Sequence, residues 1–185
     1  INFDYCESVT DQLMVGILQT ANRHLRYISL RGNTSQRPRI SDATLFAIAK
    51  HCATNLHTLR LRGHYDQFTD AAMASILSKA RQLRIFDPSN CRNLTDTGLS
   101  AIVNQSKLKI VNLEGLSNVS DKLLLKMLTA CKELKQIGLS GTPISDASIL
   151  KWTKSFGANR RADCVDALLL SGTQISTLKP LTVFK

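Results

Sequence analysis

One unit of sequence recurs along almost the whole chain, and it is clearest from Leu108 to Asp121. Apolar residues stand there at L-x-x-L-x-L spacing, a turn follows at Gly115, and an apolar run with helical periodicity opens after Ser120. Aligned copies begin at Leu25, Leu56, Leu83, Leu108, Leu134 and Val165. Because one such unit cannot bury its apolar face alone, the pattern predicts a row of strand and helix repeats that stack into a continuous core.

Each unit enters its helical run through a Ser or Thr followed by Asp. These pairs are Thr10-Asp11, Ser41-Asp42, Thr69-Asp70, Thr95-Asp96, Ser120-Asp121 and Ser145-Asp146. A hydroxyl at this position can accept a backbone N–H of the first helical turn, and the helix dipole favours the acidic residue beside it. The pairs therefore predict helix starts. We expect no catalytic centre from these carboxylates, because they are spread along the array instead of converging on one point.

The L-x-x-L-x-L run, the (I/V/L)-(S/T)-D signature and helices that end in Cys52 and Cys131 resemble the cysteine-containing class of leucine-rich repeats. The resemblance covers Val9 to about Ser176. It implies an α/β fold, a curved solenoid of about six repeats with parallel strands on its concave face and helices on its convex face. Proteins of this class are commonly substrate receptors of ubiquitin ligases, in which an F-box upstream of the repeats engages the ligase core.

The resemblance also implies a single leucine-rich-repeat domain over residues 1–185. A cap and a first helix are expected at 1–24, the repeats at 25–176, and a C-terminal cap or a truncated repeat at 177–185. Little room for an F-box precedes Val9, so a Skp1-like adaptor would bind through a region outside this sequence.

Three features depart from the regular unit. Pro88 stands where the last Leu of a strand is expected, and because Pro donates no backbone hydrogen bond, that strand should be short or locally distorted. Insertions at 33–39 (NTSQRPR) and 156–162 (FGANRRA) predict surface loops, which often lie on a binding face. Leu169 is apolar where the other strands carry polar residues, so we expect something to cover the last strand.

The sequence carries no motif for catalysis, a cofactor or a metal. It has no Gly-rich phosphate loop, no G-x-S-x-G and no H-E-x-x-H, so we expect neither an enzyme nor a cofactor. His51, Cys52, His57 and His64 cross from a helix end into a strand, where ligands would point in different directions. The five cysteines include no C-x-x-C pair, which favours buried thiols in an intracellular compartment, cytoplasmic or nuclear. No long apolar run predicts a membrane partner.

Alternation along the strands assigns every second side chain to the concave face. The partner-binding candidates on that face are Tyr27, Arg31, Arg60, Arg62, Asp87, Asn112 and Glu114. They run from basic on the first two strands to mildly acidic on the middle strands, which suits a protein partner with matching charges better than a uniform polyanion. We therefore expect a protein-interaction module, and favour the substrate-recognition repeats of a ubiquitin-ligase receptor.

A second basic row follows the first apolar residue of each strand, in a chain with a formal net charge of +10. The row comprises Arg26, His57, Arg84, Lys109 and Lys135. Cations there complement the C-terminal ends of the preceding helices, which is a purely structural interpretation. The alternative is a basic scaffold subunit of a nucleic-acid-associated complex, for DNA repair or chromatin, in which this edge binds phosphates weakly and without sequence preference.

Overall fold

The computed structural model of the chain describes residues 1–21, 24–32, 40–63, 66–155 and 165–176. The predicted loops at 33–39 and 156–162 and the predicted segment 177–185 lie outside these ranges, as do His64 and Cys164. Across the described residues, helices and strands alternate along the chain.

The helices lie on one side of the array and the strands on the other. The α-helices of the described residues are α1 (Asp11–Ala21), α2 (Asp42–His51), α3 (Asp70–Leu77), α4 (Asp96–Leu99), α5 (Asp121–Ala130) and α6 (Asp146–Lys154). The strands are β1 (Tyr27–Ser29), β2 (Thr58–Arg60), β3 (Ile85–Asp87), β4 (Ile110–Asn112), β5 (Gln136–Gly138) and β6 (Ala167–Leu169). Short 3-10 helices follow at Ala53–Asn55 and Ser100–Asn104.

The six described strands form one parallel sheet in chain order, β1 to β6, with every neighbouring pair in register. Parallel strands need a crossover, and here each crossover contains a helix; α1 packs on α2, α2 on α3, α3 on α4 and α5 on α6, while α5 also packs on the 3-10 helix Ser100–Asn104. This is the α/β solenoid that the repeats predict, and its described sheet does not close on itself.

The apolar positions of the repeat form a continuous core between the sheet and the helices. The central residues of the first five strands are buried: Ile28, Leu59, Phe86, Val111 and Ile137. Leucines that flank them and the inner faces of α2 to α6 complete this layer, and Trp152 is its largest fully buried side chain. Each repeat thus buries its apolar stripe against the next one, as stacking of single repeats requires.

The predicted helix starts are confirmed. Each Ser or Thr of the signature accepts a backbone N–H from the first turn of its helix, as when Ser120 Oγ accepts Leu123 N at 3.2 Å. The equivalent bonds are made by Thr10, Ser41, Thr69, Thr95 and Ser145. Satisfying one orphan N–H in this way stabilises a helix by about 1 kcal/mol.

The Asp of each signature binds the next repeat, a role that the sequence analysis missed. Its carboxylate accepts the backbone N–H and the hydroxyl of the Ser or Thr one repeat further on, as when Ser120 N donates to Asp96 Oδ1 at 2.7 Å and Ser120 Oγ donates to Asp96 Oδ2. We call this row the Asp–hydroxyl ladder. Its carboxylates belong to Asp11, Asp42, Asp70, Asp96, Asp121 and Asp146. The ladder links every helix start to the next.

Pro88 locally distorts the backbone hydrogen bonding between neighbouring strands of the sheet. β3 is as long as its neighbours, but it pairs with β4 through two residues instead of the three that join β2 and β3. At the equivalent positions, Leu61 N donates to Asp87 O at 2.7 Å and Leu113 N donates to Gly138 O at 2.8 Å, whereas Pro88 has no N–H to donate. The prediction that this strand is short or locally distorted is confirmed: its length is normal and its pairing with β4 is reduced.

The cysteines of the helix ends belong to the core, as predicted. Cys52, Cys91 and Cys131 are buried free thiols, whereas Cys6 is exposed. Cys131 Sγ lies 3.4 Å from Ile102 O of the preceding repeat. Burial raises the pKa of the Cys52 thiol, which keeps it protonated and unreactive.

Candidate functional site

The N-terminal segment extends the concave sheet beyond β1. Ile1 N donates to Tyr27 O at 2.8 Å, Ser29 N donates to Ile1 O at 3.1 Å, and Phe3 N donates to Ser29 O at 2.9 Å. A further bond joins Tyr5 N to Arg31 O at 2.7 Å. Residues 1–5 therefore pair with the edge of β1, whose backbone groups would otherwise be exposed to solvent.

Asp4 holds Arg31, one of the predicted partner-binding residues. The Arg31 Nε and Nη2 atoms lie 2.8 Å and 2.7 Å from Asp4 Oδ2, and Ser29 Oγ donates to Asp4 Oδ1 at 2.6 Å. Burial raises the pKa of Asp4, but the hydrogen bonds from Arg31 and Ser29 outweigh it and hold this pKa below its usual value. The Tyr5 ring centroid also lies 5.9 Å from the Arg31 guanidinium.

Arg31 is therefore occupied by the chain's own N-terminal segment, and its side chain keeps 34% exposure. Asp4 and Tyr5 were not among the predicted site residues. The sequence signal that could have found them is the alternation of the apolar Phe3 with polar neighbours, which is typical of a short edge strand.

Tyr27, which is exposed, and Arg60, which is partly exposed, form a pair across β1 and β2. The Arg60 guanidinium lies 5.9 Å from the centroid of the Tyr27 ring, and Arg60 Nη1 lies 3.4 Å from the Tyr27 hydroxyl oxygen. Tyr27 is 37% exposed. A guanidinium over a tyrosine ring is attracted by the ring's negative face, so the ring holds the cation in one orientation. The pair presents a large, ordered surface with a positive charge.

Arg62 and Glu114 form a second pair, which spans two repeats. Arg62 Nη2 lies 3.8 Å from Glu114 Oε2, and the two side chains are 46% and 39% exposed. Ser89 occupies the equivalent position in the repeat between them and is fully buried. Because both partners are largely solvated, the pair contributes at most about 1 kcal/mol to stability, and a partner's charges can exchange for it.

Asp87 and Asn112 each accept a hydrogen bond from the residue two positions further along the chain. Ser89 Oγ donates to Asp87 Oδ1 at 2.6 Å, and Glu114 N donates to Asn112 Oδ1 at 3.1 Å. Asn112 also lies over Gly138, where an added Cβ would come within 2.4 Å of Asn112 Oδ1. These contacts fix both side chains in place while leaving them partly exposed.

The far end of the concave face is apolar. Leu169 of β6 is 59% exposed, the same fraction as Tyr5 at the opposite end. An open groove of about 590 Å³ runs beside it and is lined by residues that include Asn90, Glu114 and Ser140. Tyr27, Arg60, Arg62, Asp87, Asn112 and Glu114, six of the seven predicted residues, thus lie on one face and bond to one another or to their own strands, whereas Arg31 bonds to the N-terminal segment.

Within the described residues, no three His, Cys, Asp or Glu side chains are grouped so that they could hold a metal ion. The helices of the described residues are all too short or too polar to cross a membrane.

No protein-family model matches this chain, and no curated protein matches it. Solved structures do resemble it. The tropomodulin C-terminal domain of Caenorhabditis elegans has a TM-score of 0.55 at 9% identity, covering 95% of this chain and 89% of that domain. Internalin C2 of Listeria monocytogenes has a TM-score of 0.51 at 13% identity, covering 100% of this chain and 76% of the internalin.

A chain in the crystal structure of the yeast Rad7 and Elc1 complex has a TM-score of 0.57 at 17% identity. The similarity covers 89% of our chain but 46% of that one. Identities this low establish the fold alone. The fold is a leucine-rich-repeat solenoid.

Proposed function

We propose that this chain is a protein-interaction module that captures a protein partner on its concave face and catalyses no reaction. The observation that carries the proposal is the Tyr27–Arg60 pair on that face, in which the Tyr27 ring is exposed and Arg60 is partly exposed. Tyr and Arg are enriched among the residues that supply most of the binding energy in protein interfaces. Here the ring already orders the guanidinium, so little side-chain entropy is lost when a partner binds.

The charges of this face favour a partner with an acidic segment at one end. Arg60 and Arg62 supply positive charge over β2, whereas Asp87 and Glu114 supply negative charge over the next two repeats. Neighbouring strands are about 4.8 Å apart, so the sign of the surface changes within about 10 Å. A folded protein or a peptide of mixed charge can match such a change, whereas a uniform polyanion would be repelled over the middle strands.

The finer proposal is that the module is the substrate-recognition region of a ubiquitin-ligase receptor inside the cell. Two observations support it: the resemblance of the repeat to the cysteine-containing class, and the similar fold of a chain crystallised in the Rad7 and Elc1 complex. In this proposal the adaptor binds a separate region of the full-length protein, so that the concave face remains available to the substrate.

The test is affinity capture of the full-length protein from its own cells, followed by mass spectrometry. Arg60→Glu with Arg62→Glu reverses two charges on the concave face. Lys122→Glu with Lys126→Glu is the matched control, because both lysines are exposed on α5 and the net charge changes equally. A partner that is lost from the first variant and retained by the second supports concave-face capture. Equal recovery of every partner by both variants would refute it.

The ligase proposal has its own readout in the same experiment. A Skp1-like adaptor and a cullin should be recovered with the unchanged protein and with both variants, because neither variant alters the region that binds them. Their absence from every sample would remove the ligase proposal while leaving concave-face capture standing.

A further inference from the structure

The N-terminal ends of the first five strands carry a row of basic residues in register. We call this row the basic rim; it comprises Arg26, His57, Arg84, Lys109 and Lys135. The backbone sets the spacing, because each rim residue's carbonyl accepts two N–H groups of the following repeat. Arg84 O, for example, accepts Lys109 N at 2.8 Å and Ile110 N at 2.9 Å. Consecutive rim residues are therefore one strand spacing apart, about 4.8 Å along the sheet.

The rim is not neutralised by ion pairs within the part of the chain that the structure describes. Among the described residues, the ion pairs join Arg31 to Asp4 and Arg62 to Glu114, and neither includes a rim residue. Arg26, Arg84 and Lys135 are exposed, and His57 and Lys109 are partly exposed. Burial lowers the pKa of His57, and the positive charges of Arg84, Arg26 and Lys107 lower it further. The lowered pKa of His57 thus reflects the positive charges around it at this edge, in addition to its burial.

The rim has a defined end. The next position in the row is Asp166, whose backbone N–H donates to Lys135 O at 2.7 Å. The row thus changes from cation to anion after five residues. Helix dipoles alone do not explain the rim, because a dipole contributes only about half an elementary charge and its effect is confined to the last helical turn.

We propose that the basic rim binds the phosphate backbone of a nucleic-acid duplex, independently of the partner on the concave face. From Arg26 to Lys135 the rim extends four steps, or about 19 Å, which matches about five to six phosphates of one strand at about 3.4 Å each. The rim positions contain no Phe, Tyr or Trp, so bases of a single strand would find no row of large rings to stack on. A row of basic residues at a regular backbone spacing suits the regular phosphate array of a duplex, whereas a protein interface is usually built around an apolar centre.

The salt dependence of binding follows from the number of charges. With His57 neutral, four rim cations would release counterions from about four phosphates, giving a slope of log K against log salt of about −3.6. Affinity should then fall about 150-fold between about 50 mM and about 200 mM salt. Arg84→Gln with Lys109→Gln removes two of these cations, so the slope should halve and the fall over the same range should be about 12-fold.

The experiment measures fluorescence anisotropy of a labelled mixed-sequence DNA duplex of about 20 base pairs, long enough to cover the rim more than once. The control variant is Lys122→Gln with Lys126→Gln on α5, which has the same net charge and should keep the original slope. Urea unfolding of each variant confirms that it is folded. A slope unchanged by Arg84→Gln with Lys109→Gln, a control that loses as much, or no binding at about 50 mM salt would overturn the proposal.

Polyglutamate as a competitor distinguishes an acidic protein from a duplex. If it binds the rim more tightly than a duplex of equal total charge, and loses that affinity in the Arg84→Gln, Lys109→Gln variant, the rim is a site for acidic protein and the nucleic-acid proposal is wrong. If it competes weakly while the duplex shows the expected slopes, the proposal stands.

Discussion

The Asp–hydroxyl ladder and the basic rim are both rows of charge that repeat once per strand–helix unit, but among the described residues the ladder charges have bonded partners and the rim charges have no ion pair. Ladder carboxylates such as Asp96 accept both the N–H and the hydroxyl of the next signature. Rim cations such as Arg84 make no ion pair with a carboxylate of the described residues. Each ladder charge is matched to its neighbour, whereas rim charges repel one another.

This difference separates charge that builds the array from charge that is available to a partner. A charge that accepts two or three hydrogen bonds from its own chain is costly to remove and has little capacity left for a ligand. A row of like charges costs stability in the free protein, and an oppositely charged partner recovers that cost. Substitutions in the ladder should therefore change stability, and substitutions in the rim should change electrostatics and binding.

The largest effect is expected at Asp121, a ladder residue whose carboxylate accepts hydrogen bonds from two side chains of the next repeat. Its carboxylate accepts Ser145 N at 3.1 Å, Ser145 Oγ at 2.7 Å and Ser148 Oγ at 2.8 Å. Asp121→Ala leaves the buried Ser148 hydroxyl without this acceptor, so the free energy of unfolding should fall by about 3 kcal/mol in urea denaturation.

Glu133→Ala is the control for Asp121→Ala. Glu133 is an exposed carboxylate outside the ladder, and its loss should change the free energy of unfolding by less than about 0.5 kcal/mol. If the two variants were equally stable, the ladder would make no net contribution to folding.

The second effect concerns how closely consecutive helix starts approach. Gly98 of α4 is buried against the ladder, and an added Cβ would lie 2.3 Å from Asp70 Oδ1 and 2.8 Å from Asp70 Cα. Gly98→Ala should therefore lower the free energy of unfolding by about 2 kcal/mol, because the backbone atom cannot move aside without shifting a whole repeat.

Gly16→Ala offers the opposite outcome with the same chemical change. Gly16 is exposed in α1 and an added Cβ would meet nothing within 4 Å, so helix propensity alone should raise the free energy of unfolding by about 0.5 to 1 kcal/mol. Thermal melts of both variants would contradict the argument if Gly98→Ala also stabilised the protein.

The sequence predicts the array well because its evidence is local. Leucine spacing assigns strands and helices, and a Ser or Thr before Asp specifies a helix start from neighbouring residues alone. The second role of Asp70 depends on a hydroxyl 25 residues away, at Thr95, and becomes apparent only when the repeats are stacked in register. A local reading of the Ser/Thr-Asp pair accounts for the cap and leaves the inter-repeat bond unpredicted.

The residues of the concave face could also be predicted from the local sequence, but the contacts between them could not. Alternation identifies which side chains share a face, because it is a local property of strands. Which of them pair across strands depends on register and side-chain length, so the stacking of Arg60 on Tyr27 and the reach of Arg62 to Glu114 could not be read from spacing. The N-terminal segment is the clearest case, since Asp4 reaches Arg31 across 27 residues of chain.

A smaller effect is expected at Asp11, the first residue of the ladder, when the pH is lowered. Burial raises the pKa of Asp11, but hydrogen bonds from Ser41 and Thr44 outweigh it, so this pKa is lower in the folded protein than in the unfolded chain. The hydrogen bonds to ionised Asp11 therefore stabilise the folded protein fully at pH values above the pKa in the unfolded chain, about 3.9. This stabilisation is lost as the pH falls through the pKa of Asp11 in the folded protein. Urea unfolding from about pH 6 to about pH 3 should show a decline that is shallower in Asp11→Asn.

Glu7→Gln is the control for this acid response, because Glu7 is an exposed carboxyl outside the ladder. Its variant should follow the original protein at every pH. A decline that is equally steep in Asp11→Asn would mean that Asp11 does not carry the acid sensitivity.

The smallest effect is expected at His57, which reports the charge of the rim without contributing much to stability. Burial is the main cause of its lowered pKa, and Arg84 is the largest of the charges that add to it. Arg84→Gln should therefore raise the pKa of His57 part of the way towards its ordinary value, as measured by NMR titration of the imidazole. Lys122→Gln, on the convex helix α5, should leave this pKa unchanged.

Concentrated salt should imitate Arg84→Gln in the original protein, because at about 1 M the screening length is about 3 Å. A His57 pKa that responds to neither salt nor Arg84→Gln would show that burial alone sets it, and the rim would then lack the accumulated positive charge that distinguishes it from the ladder.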